Sequence, residues 1–434
     1  MEKETPSYTK WMFAAAPTNF ATNPLSTFIP LYILFLSGTV ANVAITVIIY
    51  YFVIILSYFF WGKTADIIKS RKKVILTSYG MITVLLTLLF FTHNFSFIAI
   101  IYALIGFFAA AISTYLNLLV IETGASENWA RNFALLQTVE NIGMVAGLVV
   151  GSVITNFVPL NYFIIILASS SLLSVVLGSI LIKEARIEAD KSLLKHFNRT
   201  VLEVAVFPFH FITTRRSKDN SGGVMRGIRF LIGGMGTYMG LFYISYFMFS
   251  ASSTIYNADY PAILHLQGIT ESNVFLVILA AMALQTILFY YADRFLDKRE
   301  FFKMTIGSLA VRCILFFLVA LSFFYLINSN LFYANLILYA LSAGLMYPIY
   351  YIASYTQFFD AIRGRDRGNA LGTYGGLASI GSFIGSVLAG VIAVYGMYYL
   401  IYVVGAIMVA LSLYSFYLIP GAKSKHHPML QPSS

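Results

Sequence analysis

The sequence predicts an all-α polytopic membrane protein of twelve transmembrane helices in two six-helix bundles. Three observations predict it. Apolar stretches of roughly 18 residues or more recur along the chain. Of the 434 residues, 59% are hydrophobic and only 11% are charged, with a mean hydropathy of +0.80. Threading the stretches alternately, with the N-terminus inside, places 27 of the 28 Lys and Arg residues on one side. That segregation is the positive-inside rule near its limit, and a soluble protein has no reason to show it. The chain also repeats itself at a long, nearly constant offset.

The expected spans are 9–37, 40–61, 74–92, 96–121, 131–156 and 159–181, then 233–266, 272–291, 304–327, 331–358, 369–394 and 397–419. Each is long enough at 1.5 Å per residue to cross a hydrocarbon core of about 30 Å. A barrel would need alternating strands of about ten residues. The connections expected outside are little more than turns, as at His93–Phe95 and Asn328–Asn330. Short connections make neighbouring helices antiparallel.

The domain reading is a first bundle at 1–181, an interfacial or cytoplasmic linker at 182–230, a second bundle at 231–419 and a polar, disordered tail at 420–434. Within the linker, Val201–Ile212 is too short to span and is expected to lie in the interface plane. The opening MEKETPSYTKW lacks the parts of a signal peptide, so the first span is expected to act as its own insertion signal.

The net charge of +10 sits in short loops, so topology and anionic lipid explain it and no nucleic-acid partner is expected. One cysteine, Cys313, supports neither a disulfide within the chain nor a cysteine-based metal site. No GxxxxGK[ST] loop and no HExxH motif is present. The reading expects no cofactor, no metal and no enzymatic reaction. It expects a monomer acting on a small solute, with protons and membrane lipid as its other partners.

The repeat relates STFIPLYILFLSGTVANV at 26–43 to NADYPAILHLQGITESNV at 257–274, an offset of 231 that pairs Pro30 with Pro261 and Asn42 with Asn273. RNFALL from Arg131 pairs with RGNALG from Arg367, and Ala65–Asp66 with Ala292–Asp293. Six is even, so the two halves share an orientation and are related by an axis along the membrane normal.

At this point the chain resembles the major facilitator superfamily of secondary transporters, over residues 9–419. That family's loop between helices two and three has the form G-x-x-x-D-(R/K)-x-G-(R/K)-(R/K). Here Gly62, Asp66 and the basic run Arg71-Lys72-Lys73 match, while Ile67 replaces the base after the acid and Lys69 or Ser70 replaces the second glycine. Asp293-Arg294 is the second copy, and the stretches Glu122 to Arg131 and Asp360 to Arg367 match the family's acid-to-arginine connections. The resemblance implies that Gly62, Asp66, Arg71, Lys72, Glu122, Arg131, Asp293, Arg294, Asp360 and Arg367 mark gates, broken and remade during alternating access. Anchoring of topology is the plainer reading of the basic cluster.

Ionisable groups inside spans are costly and mark function. Glu140 lies near mid-span on one helix face with Gln137 and Asn141, and Asp259 lies near the outer end of the seventh span. Both are candidates for carrying the coupling proton, against the plainer reading of a hydrogen-bonded hub and a polar cap. Arg312 is expected to snorkel to the near interface. Pocket candidates are Asn19, Asn23 and Ser26 on a proline-broken first helix, Asn117, Gln137, Asn141, and Tyr243, Tyr246, Tyr256, Tyr347 and Tyr351. Tyrosine can stack on a ring and donate a hydrogen bond. Gly143, Gly147, Gly151, Gly381 and Gly385, spaced by four, are read as close-packing faces.

The sequence thus reads as a proton-coupled secondary transporter of a small organic solute in the cell membrane, with both termini cytoplasmic. A drug or metabolite exporter with an aromatic pocket, or a sensor or scaffold that kept the fold and lost turnover, are the rival readings.

Overall fold

A computed structural model describes residues 7–37, 39–68, 70–123, 129–183, 238–295, 301–361 and 367–419. The linker 182–230 from residue 184 on, the start of the seventh span and the tail lie outside the described residues.

The first half comprises α1 (Ala15–Thr22), α2 (Leu25–Ser37), α3 (Val40–Ile67), α4 (Arg71–Phe90), α5 (Phe95–Thr123), α6 (Trp129–Ile154) and α7 (Phe163–Leu181). The second comprises α8 (Tyr238–Asn257), α9 (Tyr260–Leu266), α10 (Glu271–Phe295), α11 (Phe301–Tyr325), α12 (Asn328–Tyr339), α13 (Tyr347–Ala361), α14 (Arg367–Val394) and α15 (Tyr398–Tyr417). Among the described residues, eleven stretches are long and apolar enough to cross a membrane. The seventh expected span is described as α8 and α9 and is not one of the eleven. Its run of Ser250, Ser252, Ser253, Thr254, Asn257 and Asp259 lowers its hydropathy, as suits a helix packed against α14 and α15 inside the bundle.

Large apolar side chains cover the perimeter. Phe91, Ile180, Ile314, Phe324 and Tyr414 are each more than half exposed, a surface that lipid rather than water would cover.

Three breaks depart from straight helices. The first span breaks at Asn23–Pro24, where Pro24 cannot donate to the helix ladder. The seventh breaks at Ala258–Asp259, with Pro261 early in the following turn. The tenth passes through a π-helix at Ala340–Met346 between α12 and α13. Nothing in the sequence pattern announced that last feature.

Two expected boundaries move. The second span runs to Ile67 rather than 61, so Gly62 to Asp66 lie on the end of α3 and not in a loop. Nothing between Phe60 and Ile67 breaks a helix, and the Thr64 hydroxyl donates back to the Phe60 carbonyl. The basic run Arg71-Lys72-Lys73 likewise forms the first turn of α4.

The glycines explain the packing. A Cβ on Gly143 or Gly147 would strike the carbonyl oxygen of Ala16 or Phe20, so α6 lies backbone to backbone on α1. Gly381 and Gly385 meet Phe247 and Ala251 in the same way, which sets α14 on α8. Phe247 and Ala251 stand 231 positions after Ala16 and Phe20. The repeat seen in the sequence is therefore a repeat of contacts. Between the halves, α3 packs on α14 and α6 on α10. These pairs exchange under the repeat, as a pseudo-two-fold axis requires.

Candidate functional site

At the end carrying the basic loops, Arg71 ties three helices together. Its Nε donates to both Glu122 oxygens at 3.2 Å and its Nη2 to Oε1 at 2.7 Å. Its Nη1 donates to the carbonyls of Ala65 and Ile68 at 2.5 and 3.0 Å. The guanidinium therefore caps the C-terminus of α3, where a cation complements the helix dipole. Glu122 comes from the end of α5, and the Tyr115 ring lies 5.5 Å from the guanidinium carbon. Lys72 donates to the Ser179 carbonyl of α7 at 2.7 Å. Glu122 thus pairs with Arg71, an arrangement hidden in the sequence by a separation of 51 positions. Gly62 is exposed and a Cβ there would meet nothing, so close approach does not explain it in this state. The side chains of Asp66, Arg131, Asp293, Arg294, Asp360 and Arg367 lie outside the described residues.

Midway along α6, Glu140 is partly exposed although it lies about 17 Å from the start of the helix and about 21 Å from its end. Gln137 donates to its Oε2 at 2.9 Å. Tyr58 of α3, Tyr79 of α4 and Tyr351 of α13 lie within electrostatic reach. Tyr58 pairs with Ser113 on α5, one turn before the partly exposed Asn117. Tyr351 belongs to the second half, so Glu140 faces the space between the halves. Asn141 turns inward instead; it is buried and its amide nitrogen has no partner among the described residues.

Across that space, α13 presents a tyrosine ladder. Tyr347, Tyr351 and Tyr355 recur every four residues, with ring centroids 5.9 and 5.2 Å apart. Tyr246 stacks on Tyr374 at 3.6 Å and stands near the same ladder. On the first helix, Asn19 and Asn23 are partly exposed and bonded to each other at 2.7 Å, and the exposed Ser26 donates to the Asn23 carbonyl. Two pocket candidates are corrected. Tyr256 is 2% exposed, enclosed by Tyr260, Phe316, Tyr339 and Tyr402 in the core of the second half. Tyr243 is buried edge-on against Phe358. Helical spacing put both on α8, but α8 is wrapped by neighbours on most sides.

The second half also buries two charged side chains that have no counterion among the described residues. Asp259 sits at the break between α8 and α9, 1% exposed, and neither carboxylate oxygen has a hydrogen-bond partner among the described residues. Tyr51 of α3 pairs with Thr254 and lies within reach of Asp259. Arg312 does not snorkel. It is the twelfth residue of the 25-residue α11, which begins before the expected start and places it at mid-span, too far to reach an interface. A signal was present. Arg312 shares a helix face with the buried Leu309, Phe316 and Val319, whereas Ile314 and Phe317 face outward. Sequence reasoning also passed over Tyr51 and Tyr58. They lie seven residues apart, on one face of α3 turned toward the second half.

At the short-loop end the halves are joined. Ser272 donates to the Ser152 carbonyl at 2.8 Å and accepts from Asn156 at 3.0 Å, and Ser152 donates to the Ser272 carbonyl at 3.3 Å. Phe275 packs edge-on against Phe163 beside Gly151. These bonds of Ser152, Asn156 and Ser272 join α6 to the start of α10 at this end. A groove of about 350 Å³ between α4 and α7, lined by Thr83, Phe90, Ile164 and Leu172, is on the perimeter of the first half and not between the halves.

The crystal structure of an alanine variant of the nucleoside transporter NupG is similar to this chain. Its TM-score is 0.69 at 13% identity, covering 95% of this chain and 100% of that one. A structure of NupG itself gives 0.65 at 13% identity, over 95% and 99%. A POT family transporter in complex with a thioalcohol-conjugated peptide gives 0.64 at 12% identity, covering 96% of each chain. At such identities the likeness shows the fold alone. No curated protein matches. The family model of the Major Facilitator Superfamily matches residues 11–350 and 242–431. With the paired six-helix halves, the exchanged contacts between them and a model match across most of its length, this chain belongs to the major facilitator superfamily.

Proposed function

We propose that the protein carries a small polar organic solute across the cell membrane by alternating access, coupled to protons through Glu140 and Asp259. The basic-loop face and both termini are then cytoplasmic, as the positive-inside rule requires. One observation carries the reading. Glu140 is a carboxylate at mid-span, still partly exposed, facing residues of both halves, while hydrogen bonds join the halves at the short-loop end. A carboxyl group in a low-dielectric span can take up a proton on one side and release it on the other as its surroundings change.

The test is uptake into proteoliposomes under an imposed pH gradient, after a thermal-shift screen of solutes has found a ligand. Gradient-driven uptake is expected in the wild type and is expected to fall at least tenfold in an E140Q/D259N double variant. Intact gradient-driven uptake in that variant removes both residues from coupling.

The tyrosine ladder of α13 favours a second reading, an exporter with a broad aromatic pocket. Binding of several unrelated aromatic cations, with loss in Tyr351→Ala, would favour export over selective uptake.

A further inference from the structure

Arg312 has no part in the mechanism above, and its environment is unusual. The residue is 2% exposed. Its Nη2 donates to Ser253 Oγ at 3.1 Å, while Nε and Nη1 have no acceptor among the described residues. The rings of Phe249, Phe316 and Tyr347 lie 4.6, 5.2 and 5.8 Å from its guanidinium carbon. Ring faces offset part of a buried positive charge. They do not accept the N–H bonds that a guanidinium directs in its own plane. Buried donors of a charged group are costly to leave unmade. Asp259 does not satisfy them, because the ion pair among the described residues is Arg71 with Glu122.

The residue is also close to the space between the halves. Ser253, whose hydroxyl accepts from Arg312 and donates to the Phe249 carbonyl at 2.9 Å, and Tyr347 lie beside it and are both partly exposed. Tyr347 also stacks on Tyr351, which reaches Glu140 of the first half. Tyr347 directly follows the π-helix Ala340–Met346. Such segments concentrate at functional sites. Relaxing its extra residue to α-helical winding would turn Tyr347 by about 100° around the axis, enough to take its ring off Arg312.

We propose that Arg312 recognises a carboxylate on the transported solute, with the hydroxyls of Ser253 and Tyr347 completing the site. A carboxylate fits because it accepts two parallel N–H bonds from one guanidinium. The solute class is then a small organic acid or amino acid. This rests on the transport reading and goes beyond it.

The experiment uses the full-length protein in lipid nanodiscs. Binding is measured for succinate against succinamide, an amino acid against its amide, and uridine against uridine monophosphate. The wild type is expected to bind at least one carboxylate tenfold or more tighter than its amide. Arg312→Gln is expected to bring that ratio to near one through loss of carboxylate binding, and Ser253→Ala to reduce it about threefold. Arg312→Lys keeps the charge without the planar fork, so it serves if the glutamine variant does not fold, and its ratio is expected to fall at least threefold. A wild type that prefers amides or uridine overturns the proposal, and so does a ratio unmoved by both Arg312 substitutions. Preference for the monophosphate alone overturns the carboxylate assignment. Uptake of neutral solutes but of no carboxylate by the wild type would sink this site and leave transport standing; absence of uptake of any solute by the wild type would instead strike the transport reading.

Discussion

The two halves share a skeleton but differ in how they treat charge. In each, a small-residue face sets the fifth helix on the first, Gly143 and Gly147 on Ala16 and Phe20, Gly381 and Gly385 on Phe247 and Ala251. In the first half the buried arginine is paired: Arg71 holds Glu122 and caps α3. In the second half Arg312 and Asp259 are both buried, and neither has an ion-pair partner among the described residues. The position of Asp259 is occupied in the first half by Phe28, which packs on Phe163 and Tyr32. Duplication preserved what backbone packing needs. Among the described residues, the buried charges without an ion-pair partner lie in the second copy only, where symmetry does not demand them.

The largest expected effect tests the shared skeleton. Gly147→Val and Gly385→Val each add side-chain carbons where a carbonyl oxygen already lies. Each should lower stability by about 3 kcal/mol or more, at the upper end of overpacking costs. Thermal unfolding in detergent would measure it. Similar losses uphold the symmetry; a loss in only one half breaks it.

Next in size is the paired arginine. Arg71→Gln leaves Glu122 without its partner and uncaps α3, and a cost of about 2 kcal/mol is expected for hydrogen bonds to a charged group. Arg71→Lys should recover less than half, because an ammonium cannot reach the carboxylate and the two carbonyls in one plane. If the lysine variant unfolds with the wild type, the fork does not matter and the contrast with Arg312 weakens.

The smallest effect concerns the seam. Ser272→Ala removes one donated and one accepted hydrogen bond that join the halves at the short-loop end. A loss of about 1 kcal/mol is expected. It should shift the balance about fivefold toward the state open at that end. Faster hydrogen exchange over residues 260–272 would report it, and unchanged exchange would show that the seam is held by apolar packing alone.

Much of this was legible in the sequence for a physical reason. Span length, hydropathy and loop charge are local properties, and the bilayer reads them almost residue by residue. Glu140 was found the same way, because its helix face with Gln137 follows from spacing alone. The partner of Arg71 was not legible, since Glu122 is brought to it by helices that meet only after folding. The burial of Arg312 was half legible: its face was in the pattern, but its enclosure depends on Phe249 and Tyr347 from two other helices. Tyr256 was misread for the opposite reason, as neighbours closed over a residue that spacing left open.

By itself, then, the sequence determined the membrane class, the spans, the repeat and the glycine faces, because each is a periodic signal along one helix. Tertiary structure alone decided which charges are paired, which tyrosines face the space between the halves, and which end is joined. Those outcomes depend on distances between helices that no single stretch of chain encodes.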